Sequence, residues 1–216
     1  MTHQHKACLF YLMALIASIM LLNACATKTL LTPSLPVAIL STNYGNIHIE
    51  LDTKNAPISA NNFINHINAG HFKTLSFYRT VNHGNDNHNL KIGVLQGGLN
   101  ASISESFKGP LAPINHESTK LTTLAHNRGA VSLARGNLGS AQSEFFISTL
   151  NNPHLDEGGL RHPDKQGFAV FGKVVKGMDV VDIIAAQPAN GAYGDPYVKG
   201  QMLSERVVVK KILLKQ

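Results

Sequence analysis

The sequence predicts a mainly β domain, a closed antiparallel eight-stranded β-barrel capped by two α-helices. Eight short apolar or alternating runs lie between glycine, proline and asparagine turns, and two amphipathic helical patterns fall near opposite ends of that series. No internal repeat and no second set of core elements accompanies them. Many short strands with few helices suit a sheet closed on itself, with a helix covering each open end.

The first strands are Val37–Leu40 and Asn46–Leu51, with Tyr44-Gly45 as the turn between them. The second run alternates apolar and polar side chains, as a half-buried antiparallel strand does. Asn55-Ala56-Pro57 then opens a helix, because proline fits a first turn whose N–H groups have no helical partner. Ile58, Phe63, Ile64 and Ile67 make its apolar stripe and Gly70 its stop. Further strands are expected at Leu75–Thr80, Ile92–Gln96, Gly129–Ala134, Phe145–Thr149, Phe168–Phe171 and Arg206–Leu214. A second helix is expected at Met178–Ala186, with Val180, Val181 and Ile184 inward and Pro188 beyond its end.

The N-terminus reads as a targeting segment. Lys6, with His3 and His5, precedes an apolar run from Ala7 to Leu22, shorter than the roughly 20 residues that span a bilayer comfortably. Leu22-Asn23-Ala24-Cys25 resembles a bacterial lipoprotein signal. The expected organisation is a signal peptide at 1–24, a lipidated Cys25 with a tether at 25–36, and one domain at 37–216. A plain secretory signal or an uncleaved anchor is the alternative, and either also exports the domain. Ala26 is not the aspartate associated with inner-membrane retention, so the expected place is the periplasm-facing outer membrane.

Only Cys8 and Cys25 are present, so the domain has no disulfide and relies on its core. The formal charge is +6, but the basic residues are scattered and Lys210-Lys211 is the longest cationic cluster. With no aromatic-basic interleaving, this gives attraction to anionic surfaces and no nucleic-acid partner.

Four segments occur in a fixed order: Phe77-Tyr78-Arg79, Val94-Leu95-Gln96-Gly97-Gly98, Ser143-Glu144-Phe145-Phe146-Ile147 and Phe168-Ala169-Val170-Phe171-Gly172-Lys173-Val174. Together they resemble the cyclophilin-type peptidyl-prolyl isomerases, a resemblance running from Val37 to Leu214. It implies the closed barrel and an isomerase acting on Xaa-Pro bonds, without cofactor or metal. The expected partners are proline-containing polypeptide clients and the membrane through Cys25, and the chain is expected to be a monomer.

The resemblance implies Arg79 as the catalytic cation and Gln96 as the group orienting the substrate backbone. Phe146 and Leu155 become walls of a proline slot, and Phe77, Arg135, Gly136, Glu144 and Phe168 fall at other substrate-binding positions. Read alone, Arg79 is a strand-end arginine, Gln96 a polar residue before a glycine turn, and Phe146 and Leu155 core. Glu144 stands where glutamine is more common, and His154 where the family has tryptophan or phenylalanine. A polar insertion at 82–91 leaves Gly93 and Val94 where the family has phenylalanine and methionine, which predicts a wider, less apolar slot. That departure sustains a second reading, a peptide-binding module with little turnover. His83, Asp86 and His88 lie in the insertion, but a loop fixes too little geometry to favour a metal.

Overall fold

In the computed structural model, the described residues are 34–99, 110–191 and 196–215. The expected signal peptide, Cys25 and the tether as far as residue 33 lie outside them.

Strands β1 (Val37–Thr42) and β2 (Gly45–Leu51) form a hairpin. Helix α1 (Pro57–Asn68) follows, with no side-chain cap of its own at Ala56. Its first turn is closed from a distance: Ile58 N and Ser59 N donate to the buried Glu117 carboxylate at 3.0 and 2.7 Å. An anion there satisfies orphan donors and complements the helix dipole. Phe63 centres the buried face, with Ala60 beside it and Ile64 and Ile67 at the margin. Ile58 is 43% exposed, contrary to expectation, because five residues of helix set it about 140° from Phe63.

Next come β3 (Ser76–Val81), β4 (Val94–Gly98), the single turn α2 (Thr119–Thr122), β5 (Ala130–Leu133) and β6 (Phe145–Ser148). The chain ends with β7 (Ala169–Lys176), α3 (Met178–Ala185), β8 (Met202–Val208) and β9 (Lys211–Lys215). Val180, Val181 and Ile184 of α3 are buried, as their spacing predicts.

The mainly β class holds, but the closed eight-stranded barrel with two helices is corrected. One curled antiparallel sheet has nine strands in the order β8-β3-β4-β6-β5-β7-β2-β1-β9, and no ladder joins β8 to β9. The expected strand Arg206–Leu214 is two strands. Val209 N donates to Leu75 O and Lys210 N to Ser41 O, so the chain crosses there from the β3 side to the β1 side. Three helices are present among the described residues, since α2 is too short to leave a helical period in the sequence.

The sheet curls around one apolar core. Phe63 packs on Phe72, Phe145 and Phe171 at centroid distances of 5.0, 5.3 and 5.3 Å. Helix α1 lies against β7 and β9, and α3 against β2, β3 and β4.

Within this core His66 is fully buried, stacks on Phe72 at 5.0 Å, and sets Nδ1 3.4 Å from Nδ1 of His71. Burial, then the neighbouring His71, pulls its pKa from 6.5 to about 4. Unfolded His66 protonates near 6.5, so the unfolded state binds more protons between that value and about 4, and stability falls as pH falls through this window. His66→Phe keeps the stacking and cannot titrate. Its unfolding midpoint, followed from pH 7 to pH 4, is expected to fall less steeply than that of the unaltered chain.

Candidate active site

The side chains of interest share the outer face of β3, β4, β6 and β5. Leu95, Phe145, Ile147, Val131 and Leu133 point into the main core. Their neighbours, pointing the other way by the period-two pleat, line up across the strands. Arg79 pairs with Gln96, Gln96 with Phe146, and Phe146 with Ser132. Directly opposed residues have Cβ atoms about 4.5–5.5 Å apart, so cation, amide and aromatic ring form one row. Phe77, expected at the substrate, faces inward instead: it is fully buried in the main core, edge-on to Phe145 at 6.0 Å.

Arg79 is held by neutral acceptors. Nη1 donates to Gln96 Oε1 at 2.9 Å, while Nε and Nη2 donate to Gln201 Oε1 at 3.0 and 2.6 Å. The guanidinium also lies 5.7 Å from the ring centroid of Tyr197. Burial pulls its pKa down, opposed by Tyr197 and Tyr78, yet an arginine stays protonated at neutral pH. Five N–H groups outnumber these three bonds and the one to the Tyr197 side chain together.

Gln96 Nε2 donates to Tyr78 Oη at 2.9 Å, and Tyr78 Oη donates to Glu144 Oε2 at 2.5 Å. Because the tyrosine proton goes to the carboxylate, its oxygen accepts from Gln96, and Gln96 Oε1 must face Arg79. Burial and then Glu144 push the Tyr78 pKa up. Glu144 Oε1 also accepts from Leu99 N at 3.0 Å, so the carboxylate serves as an internal acceptor. The paired glycines make room: a Cβ on Gly98 would sit 2.3 Å from Glu144 Oε2, and one on Gly97 2.9 Å from Ser76 O.

Beside this network lies a second apolar cluster of Val81, Ile92, Val94, Phe146 and Leu155, with Ala134 and Phe168 against it. Phe168 meets Phe146 edge-on at 5.4 Å, and its N–H donates to Leu155 O at 3.0 Å. The Arg135 guanidinium lies 5.3 Å from the Phe168 ring centroid and makes bonds to Asp164 (2.8 and 3.0 Å) and Gly167 O (3.0 and 2.6 Å). Its fork is thus committed to shaping the slot's rim, and Gly136 beside it is exposed. His126, which the sequence reading missed, stacks on Phe146 at 5.8 Å and is fixed by Asp156, 2.6 Å from its Nδ1. Burial pulls His126 down, and Asp156 partly opposes that. A lone histidine in a polar stretch gave no signal of this.

The insertion is a folded element, and the residue after it, Ile92, belongs to the apolar cluster. A Cβ on Gly93 would lie 2.7 Å from both Leu150 Cγ and Thr149 Oγ1, and Asn152 clamps the Gly93 backbone on both sides at 2.9 Å. No aromatic ring fits there. Ile92, 6% exposed, joins the cluster from the position before Gly93. Ile92 is set by Asp86, whose carboxylate accepts from Ile92 N at 3.0 Å and from Arg161 at 2.8 and 2.9 Å. Arg161 also donates to Leu90 O at 2.7 Å. Burial alone would push Asp86 up, but Arg161 and the amides of His88 and Ile92 outweigh it and hold the carboxyl below its ordinary value. Asp86 is therefore committed to Arg161, and among the described residues no cluster of three or more metal-ligating side chains occurs.

A fixed cation beside an apolar cluster is the pairing of groups that gripping a proline ring and polarising the adjacent amide would need. The family described as "Cyclophilin type peptidyl-prolyl cis-trans isomerase/CLD" matches residues 37–211. Peptidyl-prolyl cis-trans isomerase A of Dickeya dadantii is 32% identical over 93% of this chain and 98% of its own. A peptidyl-prolyl cis-trans isomerase of Acinetobacter baylyi is 38% identical over 72% of this chain and 74% of its own. The crystal structure of a Cryptosporidium parvum cyclophilin-type isomerase shares the fold, with a TM-score of 0.61 and 21% identity over 83% of this chain and 97% of that one. The chain belongs to the cyclophilin-type peptidyl-prolyl cis-trans isomerase family and is an isomerase enzyme.

Asp86 and Arg161 are both buried, with 1% and 4% of their side chains exposed. Asp86→Asn leaves an unpaired buried guanidinium and is expected to cost about 3–5 kcal/mol in urea unfolding. Asp86→Leu combined with Arg161→Met should recover most of that loss.

Proposed function

We propose that this enzyme isomerises Xaa-Pro bonds of exported polypeptides in a bacterial cell envelope, tethered by lipid at Cys25 and working as a monomer. The observation that carries the catalytic part is the row Arg79–Gln96–Phe146 across three paired strands. The barrier to amide rotation is roughly 18–20 kcal/mol because resonance gives the C–N bond partial double-bond character. Twisting returns a lone pair to the proline nitrogen. Arg79 donates a hydrogen bond to that nitrogen, favouring the twisted state over both planar ones, with no covalent step or proton transfer.

Phe146, Leu155, Ile92 and Val94 receive the proline ring, and Phe168 closes one side. Gln96 keeps Arg79 aimed with its oxygen and offers its second amide hydrogen to the substrate carbonyl. A solved structure of the C. parvum relative was obtained with the dipeptide Ala-Pro, which supports a proline-sized subsite. The Arg79–Gln96 hydrogen bond supports turnover over a binding module without it.

The envelope role rests on the Leu22-Asn23-Ala24-Cys25 signal and the polar tether before the domain at 37–216. Among the described residues no helix is long and apolar enough to cross a membrane.

The cis-to-trans rate of a short Xaa-Pro peptide tests the mechanism. Arg79→Ala should lower kcat/KM on the order of 10²-fold, and Arg79→Lys, which keeps the charge and loses the fork, should restore only part. Equal rates for Arg79→Ala and the unaltered chain would remove the guanidinium from the mechanism. The anchor has its own test: cells fed labelled fatty acid should label the chain, and Cys25→Ser should lose both label and membrane association.

A further inference from the structure

Arg79 has two sides, and Gln96 holds only one. The other side, Nε with Nη2, is gripped by a residue outside the four segments that mark the family. Gln201 stands just before β8, is 1% exposed, and accepts both N–H groups on one oxygen at 3.0 and 2.6 Å. Its backbone is equally close: Thr80 N donates to Gln201 O at 2.8 Å, and Arg79 pairs with Met202 across β3 and β8.

An amide can present either end to a guanidinium, and only the oxygen holds it. The inserted loop decides which. Gln201 Nε2 donates to Asn85 O at 3.0 Å, so Oε1 must face Arg79. Asn85 is fixed in turn, its Nδ2 donating to Thr80 O at 3.1 Å and Gly200 O at 3.0 Å. The result is a second neutral support for the cation. A carboxylate at 201 would hold the fork as firmly and cancel the charge that the reaction uses.

We propose that Gln201 is a positioning residue for Arg79, and that the 82–91 insertion orients it through the Asn85 carbonyl. The proposal rests on the reading that Arg79 acts on the proline nitrogen, and it assigns the insertion a part in catalysis. It separates two demands usually met by one ion pair, a fixed geometry and an uncompensated charge.

The test uses the full chain in detergent, a peptide containing Ala-Pro, and the NMR signal of the Arg79 Nε–H. Gln201→Leu should reduce kcat about tenfold, the worth of one hydrogen bond to a charged group, with KM little changed. Its Nε–H should exchange with solvent at least about tenfold faster by the same reckoning. Gln201→Glu should keep the Nε–H protected and still lose kcat, and it carries the test if the leucine variant fails to fold. Adding Gln201→Leu to Arg79→Ala should cost nothing further. Full activity or an unchanged Nε–H in Gln201→Leu would overturn the proposal, as would full activity in Gln201→Glu. Should Arg79→Ala itself be fully active, the mechanism underneath fails instead, a result distinct from an inactive Arg79→Ala beside a fully active Gln201→Leu.

Discussion

A one-residue irregularity in β3 places the Arg79 guanidinium. Phe77 and Arg79 are two apart, so a regular strand would point both into the core. The register instead shifts between them against β4 and β8 alike, Phe77 opposing Gly97 and Arg79 opposing Gln96. Two β3 steps thus meet one on β4, a bulge at Tyr78 that turns the remainder of the strand over. Phe77 stays in the core, Thr80 faces inward with Oγ1 donating to Ala185 O at 2.8 Å, and Arg79 and Val81 reach the outer face. The displaced Tyr78 becomes useful: its ring packs with Val198 and Met202, and its hydroxyl joins Gln96 to Glu144.

The second feature is how the charge is kept. Buried guanidinium groups usually end beside carboxylates, because an unpaired charge in low dielectric is costly. Here Arg79 touches the amide oxygens of Gln96 and Gln201 and the Tyr197 side chain, and Gln96 and Tyr78 stand as a relay between it and the Glu144 carboxylate. The nearby Arg161, which would raise the cost of a second cation, is neutralised by Asp86. Arg79 therefore sits in a desolvated, hydrogen-bonded site with its charge intact, the condition for acting on a developing lone pair.

Much of this was legible in the sequence. The β2 alternation, Pro57 at the helix start and the Val180, Val181, Ile184 spacing each reflect a local rule, and each element formed where expected. Arg206–Leu214 failed because an uninterrupted β-prone run carries no mark of where it changes partner; the break at Val209 and Lys210 is fixed by tertiary hydrogen bonds to Leu75 and Ser41. The inward turn of Phe77 was hidden for a related reason, since a bulge without glycine leaves no residue signature. Gln201, His126 and Arg161 were missed because each acts through partners 30 to 122 residues away, and nothing local marks such a residue.

The insertion is where sequence and structure differ most, and its physics explains why. Asn82-His83-Gly84-Asn85-Asp86-Asn87-His88-Asn89 has the composition of a solvated loop, and ordering each residue costs roughly 1–2 kcal/mol of backbone entropy. Short polar side chains recover part of that locally: Asn82 Oδ1 accepts from Gly84 N at 2.8 Å, and Asn85 Oδ1 accepts from Asn82 N at 2.7 Å. Such turns alone would leave the segment free to move against the domain. The buried Asp86–Arg161 pair removes that freedom, because a bidentate geometry between desolvated groups tolerates no other register. A pair of this kind adds little net stability over an apolar contact. Its value lies in specificity, since it fixes Ile92 at the slot and the Asn85 carbonyl at Gln201. A stretch that looks like tolerated surface is in this way tied to both halves of the active site.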